Sequence, residues 1–119
     1  MLRGFFDSAG RPRLAITLTS RRSARQLDAL IDTGFTGALT VPVELAVELG
    51  PELAGRANVE LADGTLRREL LFIATVTLDQ SPQRVHVGLT SSDDALIGTG
   101  LLAGRRLIMD FGKSTITVR

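Results

Sequence analysis

Ala29-Leu30-Ile31-Asp32-Thr33-Gly34-Phe35-Thr36-Gly37-Ala38-Leu39-Thr40-Val41-Pro42 runs from an apolar strand into a glycine-bracketed turn and out again along a second strand. The apolar residues before Asp32 read as the end of a buried strand, so its carboxylate arrives partly desolvated. A tight turn offsets that cost. It aims backbone N–H groups at the anion, Gly34 permits close backbone approach, and the Thr33 hydroxyl can hydrogen-bond. Asp-Thr-Gly by itself is equally a plain connection between strands, since Asp and Gly favour turns. The rest of the chain has to decide between a turn and a site.

On the N-terminal side, Leu2 to Phe6, the turn-forming Asp7-Ser8-Ala9-Gly10 and the alternating Leu14 to Thr19 predict a first hairpin. Ser20 to Ser23 turn the chain into Arg25 to Ile31, where Leu27, Ala29 and Ile31 share a face. On the C-terminal side Leu39 to Val41 is a strand, and Pro42 opens a short helix. Leu45, Ala46 and Leu49 lie on one side of it, Glu44 sits near its positive end, and Gly50-Pro51 stops it.

Val59-Glu60-Leu61 and a long arm from Leu66 to Leu78 flank Ala62-Asp63-Gly64-Thr65, and Asp-Gly between alternating segments predicts a hairpin. So long an arm leaves the core at one end; its tip is either an ordinary hairpin or a mobile cover over a cleft. Arg84 to Leu89 directs Val85, Val87 and Leu89 inward and His86 outward, and Ser91-Ser92-Asp93-Asp94 reads as a solvated turn. Ala95-Leu96-Ile97-Gly98 repeats the earlier pattern of large aliphatics running into a glycine. A short helix from Thr99 to Ala103, ended by Gly104, and two strands, Leu107 to Phe111 and Ser114 to Val118, complete the chain. Eight or so strands with two short helices and closely spaced turns predict a small, mostly antiparallel β barrel or sandwich.

Composition narrows the function. A chain of 119 residues, 44% apolar, supports one domain spanning 1–119, and a deep site in so small a core calls for a second subunit. The net charge is +1, the arginines fall in scattered pairs (Arg21-Arg22, Arg67-Arg68, Arg105-Arg106), and there is no Trp or Tyr, which argues against a nucleic-acid surface. The absence of Cys excludes disulfides, thiolate nucleophiles and Cys-ligated metals. His86, the single histidine, has neither a nucleophile elbow nor a ligand-spaced partner. No apolar run reaches membrane-spanning length and Met1 to Asp7 does not read as a signal peptide, so the expected location is cytoplasmic.

The order of the parts resembles the retropepsin-like aspartic proteases, the single-lobe relatives of pepsin. The matching pieces are Leu30-Ile31-Asp32-Thr33-Gly34, the Asp63-Gly64 hairpin at the place of the flap, Leu96-Ile97-Gly98 as the hydrophobic-hydrophobic-glycine motif, a short helix after it and a closing strand. Arginine-rich, lysine-poor usage suits a bacterial member. The resemblance implies a closed, mostly β single-lobe barrel with two short helices. It also implies a homodimer with Asp32, Thr33 and Gly34 as the catalytic turn of each subunit. Phe35, Thr36, Ala62, Asp63 and Gly64 would contact substrate, and Leu96, Ile97 and Gly98 would support the turn from beneath. No metal and no cofactor is implied; the substrate would be a peptide or an unfolded protein.

The sequence departs from the family pattern at Phe35, at Gly100 where a charged or amide residue is expected, and at the Ala62-Asp63-Gly64 tip. The alternative function is a dimeric peptide- or protein-binding module on the same fold, weakly active or inactive. The terminal strands, Leu2 to Phe6 and Thr115 to Val118, read as unpaired candidates for joining subunits.

Overall fold

Alternation of aliphatic with small or polar residues makes strands wherever one face can be buried. In the computed structural model, which describes residues 1–119 apart from the side chains of Ala57 and Val59, the chain forms ten strands and two helices. In order these are β1 (Leu2–Phe6), β2 (Pro12–Thr19), β3 (Ala24–Ile31), β4 (Leu39–Pro42), α1 (Val43–Leu49), β5 (Glu52–Glu60), β6 (Leu66–Leu78), β7 (Ser81–Thr90), β8 (Leu96–Ile97), α2 (Thr99–Leu102), β9 (Leu107–Asp110) and β10 (Thr115–Val118).

Strands β6, β7, β4, β8, β3 and β2 are hydrogen-bonded in that order, and β2 returns to β6 through Thr17↔Thr77, Leu18↔Val76 and Thr19↔Thr75. That last pairing closes a ring of six strands, the expected barrel. Its interior is filled by Leu14, Ile16 and Leu18 of β2, Ala29 and Ile31 of β3, Leu39 and Val41 of β4, Val76 and Leu78 of β6, and Ile97 of β8, all buried. Burying an aliphatic side chain of this size contributes about 1.5–3 kcal/mol before entropy is counted. Helix α1 is capped as its sequence requires: Pro42 precedes it, Glu44 lies in its first turn, and Gly50 at φ +60° ends it with its N–H donating to the Ala46 carbonyl. No helix among the described residues is long and apolar enough to cross a membrane.

Three expectations are corrected. β5 begins at Glu52, directly after α1, because backbone pairing from Glu52↔Ile73 to Glu60↔Leu66 recruits Glu52 to Asn58, whose sequence lacks alternation and whose register shifts between Leu53 and Gly55. β1 is only briefly a hairpin partner of β2, at Phe5↔Arg13 and Phe6↔Pro12; its first half pairs with β10 through Leu2↔Val118, Arg3↔Thr117 and Gly4↔Ile116. The crossing between partners needs a residue without a side chain, since a Cβ on Gly4 would lie 2.5 Å from the Arg13 carbonyl oxygen. The two terminal strands are therefore paired with each other inside one chain, not left open.

The third correction concerns Ser91 to Asp94. Asp94 is half-buried, not merely a solvated turn residue, and its carboxylate meets Arg13 at 3.0 Å and Arg11 at 3.3 Å. Asp7 completes the network, accepting from the Arg11 backbone N–H at 3.0 Å and from Arg13 Nε at 2.7 Å. The Arg11 N–H first, and the Arg13 guanidinium next, hold the Asp7 carboxyl well below the usual carboxylate range.

Candidate active site

β3 delivers its last buried side chain, Ile31, and the chain then turns at Asp32, which is half-buried at the open end of the strand. The turn is built locally by the acid itself. Asp32 Oδ1 accepts the Gly34 N–H at 2.9 Å, and the Asp32 carbonyl accepts the Phe35 N–H at 3.2 Å. A Cβ on Gly34 would approach that same carboxylate oxygen to 3.2 Å, so glycine lets the amide come close without crowding the anion.

Long-range contacts then lock the turn. β8 lies between the strands that carry its two ends, parallel to β3 (Leu30↔Leu96, Ile31↔Ile97) and antiparallel to β4 (Leu39↔Ile97, Thr40↔Leu96). The Asp32 N–H donates to the Ile97 carbonyl at 2.9 Å, the Gly98 N–H to Ala38 at 3.1 Å, the Thr99 N–H to Phe35 at 2.8 Å and the Gly100 N–H to Gly37 at 3.1 Å. Backbone from 97 to 100 thus holds the loop from 32 to 38 at four points. The glycines make the approach possible: a Cβ on Gly98 would overlap the Gly37 carbonyl oxygen and lie 2.6 Å from Phe35 Cδ2, and one on Gly100 would lie 2.9 Å from the Thr36 carbonyl oxygen.

Asp32, Thr33, Gly34, Phe35 and Thr36 are one continuous turn, and Leu96, Ile97 and Gly98 run directly beneath it. Thr33 and Thr36 are exposed. Phe35 is half-buried, with its ring folded over Gly37 and Gly98. Ala62, Asp63 and Gly64 are exposed at the tip of the β5–β6 hairpin, and no hydrogen bond or ion pair among the described residues ties them to the Asp32 turn. The tip closes on itself, with the Asp63 carboxylate accepting the Thr65 hydroxyl at 2.7 Å and the Thr65 N–H at 3.0 Å. Those two bonds, the hydroxyl first, lower the Asp63 carboxyl below its ordinary value.

Two contributors escaped the sequence reading. Thr99 donates to the Phe35 carbonyl through both its N–H and, at 3.4 Å, its hydroxyl. Gly100 supplies a backbone brace where a polar side chain was expected. The legible signal was Gly98-Thr99-Gly100 itself: two glycines spaced by one residue after buried aliphatics mark a close backbone crossing.

Two grooves on the chain, about 570 and 480 Å³, lie elsewhere. The first runs along Arg25, Asp28, Leu45, Glu48 and Asp93, the second along Val43, Arg67, Leu70, Leu89 and Thr90, and Asp32 lines neither.

No protein-family model and no curated protein sequence matches the chain. Among solved structures, it is similar to a retropepsin-like aspartic protease from Rickettsia conorii, with a TM-score of 0.65 and 17% identity over 98% of this chain and 88% of that one. It is also similar to the retroviral protease-like domain of Ddi1 from Leishmania major, with a TM-score of 0.53 and 18% identity over 89% of this chain and 87% of that one. The chain therefore has the retropepsin-like fold.

Proposed function

We propose that residues 1–119 form one aspartic endopeptidase domain that works as a homodimer, each subunit contributing Asp32 to a shared pair. The observation that carries this reading is a single half-buried carboxylate on a turn braced at four backbone points, in the retropepsin-like fold. Asp32 lines neither of the two grooves described above, which suits a cleft completed by a second copy.

Peptide hydrolysis by carboxylates needs one group to accept a proton and another to donate one. Two carboxylates within hydrogen-bonding reach cannot both carry charge cheaply, so the pair holds one proton between them. The ionised Asp32 takes a proton from water as the water oxygen bonds to the scissile carbonyl carbon. The protonated Asp32 gives its proton to the carbonyl oxygen. Collapse of the resulting gem-diol breaks the C–N bond, with a proton passing to the departing amine. In this reading Thr33 braces the two turns against each other and Gly34 keeps the carboxylates coplanar. Phe35 and Thr36 border the substrate, and Ala62, Asp63 and Gly64 close over an extended peptide, adding strand pairing and excluding water.

The test is Asp32→Asn, assayed on an unfolded protein substrate at mildly acidic pH with melting temperature and sedimentation followed in parallel. Hydrolysis is expected to fall by roughly 10²–10⁴-fold with melting and assembly unchanged. Undiminished cleavage would overturn the assignment. Peptide binding by the unaltered protein with no hydrolysis at any pH would leave a binding module instead.

A further inference from the structure

Strand β8 is only two residues long, yet it sets the Asp32 turn, because the brace of that turn begins where β8 ends. So short a ladder specifies its own register weakly, and a slip of one residue would turn the fully buried Ile97 to the other face of the sheet. Such a strand is held by what lies at its ends. The C-terminal end is fixed by the glycine crossing at Gly98 and Gly100. The N-terminal end enters from the loop Ser91 to Asp94, where the Ser92 N–H donates to Thr90 Oγ1 and the Asp94 N–H to Ser92 Oγ, both at 3.1 Å. Those bonds are local; the Asp94 carboxylate ties the loop to the barrel.

Arg13 reaches that carboxylate across β3. Leu14, Ile16 and Leu18 point into the barrel, so Arg13 lies on the outer face, opposite Leu30, which is in turn opposite Leu96. One row therefore crosses β2, β3 and β8, two residues before Asp32 on the middle strand. From that row the guanidinium puts each of its three nitrogens on a different segment. Nη1 donates to the Asp28 carbonyl at 2.9 Å, Nη2 lies 3.0 Å from Asp94 Oδ1, and Nε donates to Asp7 Oδ2 at 2.7 Å. A planar fork can do this and an ammonium cannot. The Arg13 side chain is 13% exposed, so water screens these contacts little, whereas Arg11, which reaches the same two carboxylates at 3.1 and 3.3 Å, is 49% exposed.

We infer that Arg13 is a positioning residue for Asp32: through Asp94 it anchors the lead-in to β8, and β8 fixes the turn that carries the acid. The two carboxylates on this one guanidinium lead to different places. The Asp94 branch continues through Ala95, whose carbonyl accepts the Leu30 N–H at 2.8 Å, to Ile97, whose carbonyl accepts the Asp32 N–H at 2.9 Å. The Asp7 branch ends in the turn between β1 and β2, where Asp7 accepts the Ala9 and Arg11 N–H groups. Both branches stabilise the fold, and only the first reaches the acid. The inference rests on the paired-Asp32 reading for its effect on rate and not for its effect on the turn.

Hydrogen exchange and steady-state cleavage by the full chain read those two effects separately. Asp94→Asn keeps the side chain's shape and removes its charge. It is expected to lower protection of the Leu30 and Asp32 amides about tenfold and kcat roughly 10- to 100-fold, with KM within about threefold because neither Arg13 nor Asp94 is asked to touch substrate. Asp7→Asn is expected to lower the melting temperature comparably and to leave both amides and kcat within about threefold. Arg13→Lys, which retains the charge without the fork, is expected to match Asp94→Asn, and the double variant to fall no further than the larger single effect, because one contact is removed twice. Equal effects of Asp7→Asn and Asp94→Asn on the two amides reduce Arg13 to a stabilising ion pair and overturn the inference. Additive losses in the double variant, unchanged exchange in Asp94→Asn, or a kcat that holds while protection falls overturn it as well. A chain that cleaves nothing but shows the expected exchange pattern overturns the protease reading and leaves Arg13 holding the turn.

Discussion

The molecule contains two Asp turns made by the same local chemistry. In Asp32-Thr33-Gly34 the carboxylate Oδ1 accepts the N–H two residues on at 2.9 Å; in Asp63-Gly64-Thr65 it accepts the corresponding N–H at 3.0 Å. Beyond that bond they part. The first turn is held at four backbone points by a segment sixty or more residues further along the chain and is backed by the barrel core. The second stands at an exposed hairpin tip and is satisfied entirely by its own residues. A turn held by distant backbone can fix a carboxylate in one place, and a turn held only by itself can move as a unit. Positioning and covering are different tasks, and each suits one of the two.

The widest separation between them is expected in activity. Asp32→Asn should lower cleavage by the roughly 10²–10⁴-fold given above, whereas Asp63→Asn should leave kcat/KM within about threefold, since the amide oxygen still accepts from Thr65. Comparable losses from the two would erase the distinction.

Stability should separate them next. Gly98→Ala drives a methyl into the Gly37 carbonyl and the Phe35 ring, a backbone clash expected to cost about 3 kcal/mol or more. Gly64→Ala meets no atom within 4 Å and carries only the strain of φ +86°, about 1–2 kcal/mol. Thermal melts of the two variants measure the contrast, and similar shifts would break it.

A third, smaller effect lies in the pH dependence of the hairpin tip. Its Asp63 carboxyl is lowered in the folded state, so its contribution is fully present above the ordinary carboxylate pKa of about 4 and is lost as pH falls through the depressed value. Protection of the Thr65 amide from hydrogen exchange should therefore decline below about pH 4, whereas an acid-independent profile would detach the tip from its carboxylate. The smallest effect concerns Thr40, on the strand leaving the Asp32 turn, whose buried Oγ1 lacks a partner among the described residues. Thr40→Val is expected to be neutral or stabilising by up to about 1 kcal/mol in a denaturant titration.

Much of this was legible in the chain. The 3.6-residue spacing of Leu45, Ala46 and Leu49 between Pro42 and Gly50 produced α1, and the alternation from Leu70 to Leu78 produced the buried half of β6. Asp32 and Leu96-Ile97-Gly98 could be singled out because short apolar runs ending in glycine are unusual enough to notice twice. β5 escaped because Glu52 to Asn58 has no alternation of its own and becomes a strand only by pairing with β6. The Asp7–Arg13–Asp94 network escaped because its members are separated by up to 87 positions and carry no mutual signature.

By itself the sequence determined that Asp32 and Asp63 would each bend the chain around a carboxylate, because that bond is made between neighbours two residues apart. Tertiary structure alone decided which of the two would be braced, that the chain's ends would pair with each other, and that β9 would remain the open edge. Those outcomes depend on which distant backbones come within hydrogen-bonding reach, a property of the closed barrel that no window of neighbouring residues contains.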